Sequence, residues 1–490
     1  MFLFLADLYL FVPFIFWVFL FSIKILVFIR LNIKAKILCQ IKISHTLLVQ
    51  KFILLSFLVG NLNLDYTILL FNNTIQLNGF IVNVDILLLL ICVIYLFIIK
   101  SNLMSSRLFS IEIYIFIEIT LLGLTLLLKS LNLLIFFLSF EMQTFCLYAL
   151  TLMKKFSLTS NEAGLKYFLT GALVSSFFIL GSSYCYGFYG SLNLLELNVI
   201  VENKYFYFNF FSLFFFTTLF YKLGLFSLGQ WMPDVYEASQ NVITFFFSLI
   251  PKIVYITFLN ILLTCLFRVN FISIYWVVVV FSTLSIIYNS LLSLNQIKIK
   301  RLLTYSGIVQ VSYILIGISV QTISGLISSM FFLSVYLICT IVIWSIILNT
   351  ENKNQNWFIT DLIGFNRFNF LLSLSFFIIL LNFSGLPPFM GFYSKFMILS
   401  ELLDHNFYII AWTIVLTSSL TIFYYLSISY MVFFKGLNNY IYNYIFLNLK
   451  SSYHFSFFLQ SFLIFQLSFG LTNLNLNLSP LFQLVLVLIN

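Results

Sequence analysis

Four ionisable side chains lie inside long apolar stretches, where they cannot reach water easily: Glu141, Lys222, Lys252 and Lys395. Glu118 is a candidate fifth, while Lys24 lies near the end of its stretch and reaches water by snorkelling. An ionised group at the centre of a bilayer costs about 2.5–3.5 kcal/mol even on the permissive insertion scale, so four cost roughly 10–14 kcal/mol before compensation. One carboxylate and one lysine could be kept simply to pin two helices together. Three lysines facing one clear carboxylate exceed that need. Desolvation and neighbouring cations disfavour the ammonium form of a buried lysine, which makes its protonation switchable near neutral pH. Three such lysines in series with a glutamate form a plausible proton path, so a transport role is expected.

Two of the lysines lie beside helix breakers. Lys222 is followed within eleven residues by Gly224, Gly229 and Pro233, and Lys395 closes a stretch holding Gly385, Pro387, Pro388 and Gly391. Such residues free backbone amides and carbonyls, tolerable at membrane depth only where the chain lines protein or a wet cavity. Interrupted helices in corresponding places of two halves mark inverted-repeat transporters. The bland alternative is that glycine and proline merely kink two ordinary helices.

The elements that must carry these residues follow from composition. Of 490 residues 62% are hydrophobic and 8% charged, against roughly 45–50% and 25% in soluble domains. A water-soluble fold of this size is excluded, and an all-α polytopic membrane protein is expected. Apolar runs of at least about 18 residues fall near 5–29, 52–71, 81–99, 111–128, 131–153, 163–187, 208–228, 242–266, 272–294, 302–320, 323–348, 368–396, 407–434 and 453–470. These fourteen spans divide into an N-terminal part (1–110) with a basic loop at 30–51, two five-span units (111–266 and 272–434), and a C-terminal span and tail (435–490). Spans 7 and 12 are the broken ones. Five is odd, so a tandem copy of spans 4–8 in 9–13 is necessarily inverted.

The charges test this count. Seventeen cations, Lys154, Lys298 and Arg301 among them, fall in odd-numbered connections, and three, Lys129, Lys204 and Arg268, in even-numbered ones. By the positive-inside rule the odd connections face the cytoplasm or a mitochondrial matrix. The connection around 230–241 departs from the pattern with Asp234 and Glu237 and no cation, so it serves something other than topology.

Other chemistries find no support. The six cysteines are scattered singly, the three histidines form no pair, and neither a dinucleotide-binding glycine motif nor a P-loop occurs. The chain is therefore expected to hold no cofactor or metal. The cations lie between apolar runs rather than on one face, which argues against nucleic acid. Abundant Phe (64) and Tyr (28) beside scarce Pro (6) are what an AT-rich coding sequence produces, as in many organelle genomes.

The motifs carry a resemblance. F-E-M-Q-T-F-C-L-Y-A-L (140–150), N-E-A-G-L-K-Y-F-L-T-G-A (161–172), Y-K-L-G…W-M-P-D-V-Y-E-A-S (221–239), I-P-K-I (250–253), K-R-L-L-T-Y-S-G-I-V-Q-V-S-Y-I-L-I-G (300–317) and G-L-P-P-F-M-G-F-Y-S-K-F (385–396) resemble the antiporter-like membrane subunits of respiratory complex I, most closely the subunit 2 and bacterial subunit-N type. It extends over about 111–400. It implies that Glu141 pairs with Lys222, that Lys252 connects toward Lys395, and that helices 7 and 12 are broken. It further implies supporting roles for Glu112, for Glu162 with Lys166 at i, i+4, and for Lys300 and Tyr305 bordering access from the matrix side. The pair Glu162–Lys166, at the membrane edge, is read as structural or modulatory. The implied activity is proton translocation within NADH:ubiquinone oxidoreductase in the mitochondrial inner membrane, beside other complex I membrane subunits and lipids. NADH, FMN, iron–sulfur clusters and ubiquinone are then expected in partner subunits. Two family histidines are replaced here, one within Ser227–Gly229 and one by Gln310, so hydroxyls such as Ser227 and Tyr305, or water, take over any imidazole relay. A sodium/proton antiporter subunit and a non-pumping scaffold subunit are the rival readings.

Overall fold

In lipid a chain must satisfy its backbone hydrogen bonds within each segment, so long apolar runs become helices. The computed structural model describes residues 12–31, 52, 55, 67–105, 112–154, 157–200, 205–263, 272–349, 358–368 and 370–435. In chain order the elements are α1 (Val12–Leu31), β1 (Ile68–Leu70), β2 (Ile75–Leu77), α2 (Gly79–Ser105), α3 (Glu112–Lys129), α4 (Leu133–Thr151), α5 (Leu158–Tyr189), α6 (Leu194–Ile200), α7 (Tyr205–Leu223), α8 (Trp231–Ala238), α9 (Asn241–Ile261), α10 (Ile272–Leu294), α11 (Ile299–Ser319), α12 (Ile323–Asn349), α13 (Phe365–Phe368), α14 (Phe370–Ser384), α15 (Met390–Asp404) and α16 (Tyr408–Phe433). The chain is a multi-pass helical membrane protein. Among the described residues eight helices are long and apolar enough to cross a membrane, and shorter apolar helices add to them. Of the fourteen expected spans, the described parts of the first and of the third to thirteenth are helical, apart from the breaks in the seventh and twelfth. The span at 453–470 lies outside the described residues, as do most of 52–71 and most of the basic stretch 30–51.

One boundary is corrected. The second expected span runs to residue 71, yet Ile68–Leu70 is a strand paired antiparallel with Ile75–Leu77. Phe71, Asn72 and Asn73 turn the hairpin with φ of 50°, 54° and 62°, a left-handed run that asparagine tolerates better than most residues. The hairpin docks on the α3–α4 connection through a bridge from Ile75 to Ser130, and the Asn193 side chain donates to the Asn73 carbonyl at 3.0 Å.

The two five-helix units are α3, α4, α5, α7–α8, α9 and α10, α11, α12, α14–α15, α16. The fourth member of each is interrupted. The packing repeats as well: α3 lies along α4 as α10 lies along α11, and α5 meets α7 and α8 as α12 meets α14 and α15. At the centre runs α9, every residue of which is buried, touching α2, α3, α7, α11 and α12. Phenylalanine fills this interior: Phe136 lies 5.0–6.0 Å, ring to ring, from Phe140, Phe178, Phe215 and Phe258, joining four helices. Serine and threonine at membrane depth return their hydroxyls to their own helix, as Thr120 does to Ile117 at 2.7 Å and Thr218 to Phe215 at 2.6 Å.

A buried ion pair holds α2 to α3. Asp85, inside the third span and not anticipated as a membrane charge, meets Lys129 at 2.7 Å with side chains 3% and 10% exposed. Lys129 is thus a buried partner rather than a free loop cation. Removing one member strands the other, at a cost of about 3–5 kcal/mol, whereas replacing both by apolar residues of similar volume is close to neutral. Asp85→Leu or Lys129→Met alone should therefore sharply lower the thermal inactivation temperature of the purified assembly, and the double variant should recover most of the loss.

Candidate functional site

Both expected helix breaks are present and built alike. Gly224 ends α7 with φ 76° and Gly385 ends α14 with φ 77°. At the first, the Leu225 amide returns to the Phe220 carbonyl (3.0 Å) and that of Gly224 to Tyr221 (3.1 Å). At the second, Leu386 returns to Leu381 (3.4 Å) and Gly385 to Asn382 (3.1 Å). This is the Schellman cap, which needs a residue free to adopt positive φ. A second glycine closes each turn: a Cβ on Gly229 would lie 2.0 Å from the Gly224 carbonyl oxygen, and one on Gly391 1.8 Å from that of Asn382. Pro387 and Pro388 lie between the halves of the second helix. Pro233, expected as a breaker, instead sits in the first turn of α8, where its missing amide would have no helical partner anyway.

Lys222, in the last turn of α7, is buried. Its ammonium donates to the Tyr167 hydroxyl at 3.1 Å and lies 4.9–5.6 Å from the ring centres of Phe140, Tyr148, Tyr167 and Tyr221. Neutral oxygen and aromatic faces take the place of water. Glu141 does not form the direct ion pair that the resemblance implies. It is half-buried, its carboxylate accepts from Thr144 at 3.1 Å, and the ion pairs found among the described residues join other groups.

Lys252 follows Pro251 inside α9. It donates to the Tyr336 hydroxyl at 3.1 Å and faces Gly307 of α11, whose absent side chain leaves it room. A cavity of about 20 Å³ beside it, lined by Tyr236, Ser248, Ser306 and Tyr336 among others, has the size of one water. Lys395, in α15, donates to the carbonyls of Ser384 (2.8 Å) and Phe383 (3.3 Å) at the open end of α14, with the Tyr313 ring 5.4 Å away. A half-helix C-terminus suits a cation. Gln310 donates to the same Phe383 carbonyl at 3.2 Å, so the residue in place of a family histidine stands at the second break.

The supporting residues divide. Ser227, with φ 61°, and Tyr305 line one small cavity of about 50 Å³ with Gly224, Gln230 and Asn289. Glu162 and Lys166 pair at 2.8 Å on the surface. Lys300 is buried and donates to the Ser239 carbonyl at 2.9 Å. Glu112 is exposed in the first turn of α3, where an acid complements the helix dipole. Glu118 is fully buried.

Sequence reasoning missed the tyrosines. Tyr167, Tyr336 and Tyr313 attend the three lysines from other helices, and Tyr148 reaches the Lys222 cage because Gly171 leaves its hydroxyl space. In a chain with 28 tyrosines no single one draws notice, although Tyr148, Tyr167 and Tyr313 stand inside the quoted motifs.

Comparisons with known proteins bear on the family and the fold. The family described as NADH:quinone oxidoreductase/Mrp antiporter, TM matches residues 130–421. NADH-quinone oxidoreductase subunit N of Pelagibacter ubique is 31% identical over 395 residues, 80% of this chain and 83% of that protein. NADH-ubiquinone oxidoreductase chain 2 of Marchantia polymorpha is 32% identical over 336 residues, 66% of this chain and 67% of that one. A chain in the structure of respiratory complex I from Thermus thermophilus superposes with a TM-score of 0.74 at 22% identity, covering 90% of this chain and 94% of that chain.

Backbone atoms cannot step aside for a new methyl group. Gly229→Ala and Gly391→Ala should each cut the amount of folded subunit in membranes several-fold, as destabilisations of about 1–2 kcal/mol do. Gly187→Ala, where a Cβ meets nothing within 4 Å, should leave it unchanged in the same immunoblot.

Proposed function

This chain belongs to the family of antiporter-like membrane subunits of NADH:quinone oxidoreductase, and from that membership and the lysine geometry we propose that it moves protons across the mitochondrial inner membrane as a core subunit of respiratory complex I. Electron transfer takes place elsewhere in the assembly. On this reading NADH, FMN, iron–sulfur clusters and ubiquinone are held by partner subunits, and this chain binds membrane subunits and lipids. Relatives in both bacteria and plant mitochondria carry the same type of subunit; the AT-rich composition favours an organelle-encoded copy.

The observation that carries the proposal is that Lys222, Lys252 and Lys395 are all buried, and that the nearest partners the structure gives their ammonium groups are neutral oxygens. A tyrosine hydroxyl accepts from an ammonium and donates to the neutral amine after a half-turn of its O–H bond, so Lys222 and Lys252 keep a hydrogen bond in either protonation state. A salt bridge would offer no such indifference. The cycle begins when a charge change in the neighbouring subunit alters the field that Glu141 exerts on Lys222. Protonation then shifts from Lys222 to Lys252 and is exchanged through Lys395. Ser227 and Tyr305 border the access cavity beside the first break, and Glu112 and the surface pair Glu162–Lys166 modulate the field.

Lys222→Met, Lys252→Met and Lys395→Met should each lower the protons translocated per NADH oxidised by purified complex in liposomes, at unchanged amounts of assembled complex. A scaffold would show the reverse, lost assembly with the ratio intact. In a native gel of gently solubilised membranes the chain, identified by mass spectrometry, should travel with the large band that oxidises NADH; migration alone or with small hydrophobic partners would favour the antiporter reading, with sodium-dependent flux as its assay.

A further inference from the structure

The short helix α8 follows the first break and sets three side chains along one edge at i, i+3 and i+6: Trp231, Asp234 and Glu237. Each grips something different. Trp231 stacks on Tyr167 at 4.2 Å and 13°, lies 5.2 Å from the Tyr221 ring, and donates its indole N–H to the Tyr221 carbonyl at 3.1 Å. Tyr167 is the residue whose hydroxyl accepts from Lys222. Asp234 receives Lys166, the neighbour of Tyr167, at 3.2 Å, and Arg301 of α11 at 2.8 Å. Glu237 pairs with Lys298 and with the Nε of Arg301. Lys300 reaches over to the Ser239 carbonyl at the end of α8. The cage of Lys222 is thus bolted from behind by α8, and α8 is bolted to the first turn of α11, which belongs to the other five-helix unit.

The same α11 continues inward to the other two lysines. Gly307 abuts Lys252, Gln310 shares the Phe383 carbonyl with Lys395, and Tyr313 presents its ring to Lys395. A helix transmits displacement along its length, and packed interfaces switch between discrete arrangements rather than deforming continuously. We propose that Trp231 and Asp234 are positioning residues that hold the Tyr167 hydroxyl against Lys222 and tie that contact, through Arg301 and α11, to the state of Lys252 and Lys395. The acidic pair in the connection at 230–241, which sets it apart from the cation-bearing odd-numbered connections, is then the fastening of this linkage. The inference rests on the proton-translocation reading above.

The test uses the assembled complex in liposomes, with protons translocated per NADH oxidised as the readout, normalised to assembled complex. The variants are Trp231→Leu, Asp234→Asn, their combination and Asp234→Glu, with Lys222→Met as reference. If Trp231→Leu does not assemble, Trp231→Phe, which keeps the stack but loses the indole bond, replaces it. The expected result is a ratio lowered by at least about twofold in each single variant, no further loss in the combination because the two act on one contact, and recovery in Asp234→Glu. The inference is overturned if the single variants pump normally while Lys222→Met does not, or if the losses multiply and Glu fails to restore the ratio, since a merely structural helix would behave so. Normal pumping in Lys222→Met would instead sink the proton-translocation reading itself.

Discussion

Everything in this molecule answers to the difficulty of keeping an ammonium group in an apolar interior. Burial strips the ammonium of bulk solvent, and a carboxylate in contact would hold the proton too firmly for a carrier. The solution adopted three times is a neutral oxygen within about 3 Å, backed by an aromatic face. That oxygen never comes from the lysine's own neighbours along one continuous helix. Tyr167 is brought to Lys222 by α5, Tyr336 to Lys252 by α12, and carbonyls to Lys395 by the severed end of α14. The architecture is a way of delivering oxygens to lysines.

The broken helices follow from the same need. A continuous helix consumes its carbonyls internally and has none to offer at membrane depth. Stopping α14 at Gly385 exposes two, and Lys395 takes both. Stopping α7 at Gly224 leaves the Tyr221 carbonyl, which already accepts from Gly224, able to accept from Trp231 as well, so the first break anchors α8 where the second supplies a cation site. One backbone device, repeated in two inverted units, has been put to two uses.

Much of this was legible in the chain. Spans, inverted units and breaks follow from runs of apolar residues, an odd count and the rarity of proline, because lipid punishes every unsatisfied amide and leaves few alternatives. The lysines stood out for the same reason. What stayed hidden depends on side chains meeting from distant positions: the tyrosine partners, the cross-unit ties of Asp234 and Glu237, and the pairing of Asp85 with Lys129, where Asp85 passed unnoticed within an apolar run. The strand at 68–70 falls within the end of the second expected span because Ile and Leu suit either state, and only the left-handed turn at Phe71–Asn73 decides between them. The resemblance implies that Glu141 pairs with Lys222; in the structure Glu141 accepts from Thr144 of its own helix and Lys222 donates to Tyr167, partners that no local pattern encodes.

The complete burial of α9 has a consequence for biogenesis. A helix without a lipid-facing side must be enclosed by partners made both before it, α2, α3 and α7, and after it, α11 and α12. The hydroxyl that shelters Lys252 lies 84 residues downstream, so at about 5–20 residues per second the helix waits roughly 4–17 s after its own synthesis for that partner to leave the ribosome. Through that interval α9 carries a proline and a lysine into the bilayer with its shell half built. Insertion factors that hold such a helix, or a loose early bundle that admits water around it, are therefore demanded by the finished fold.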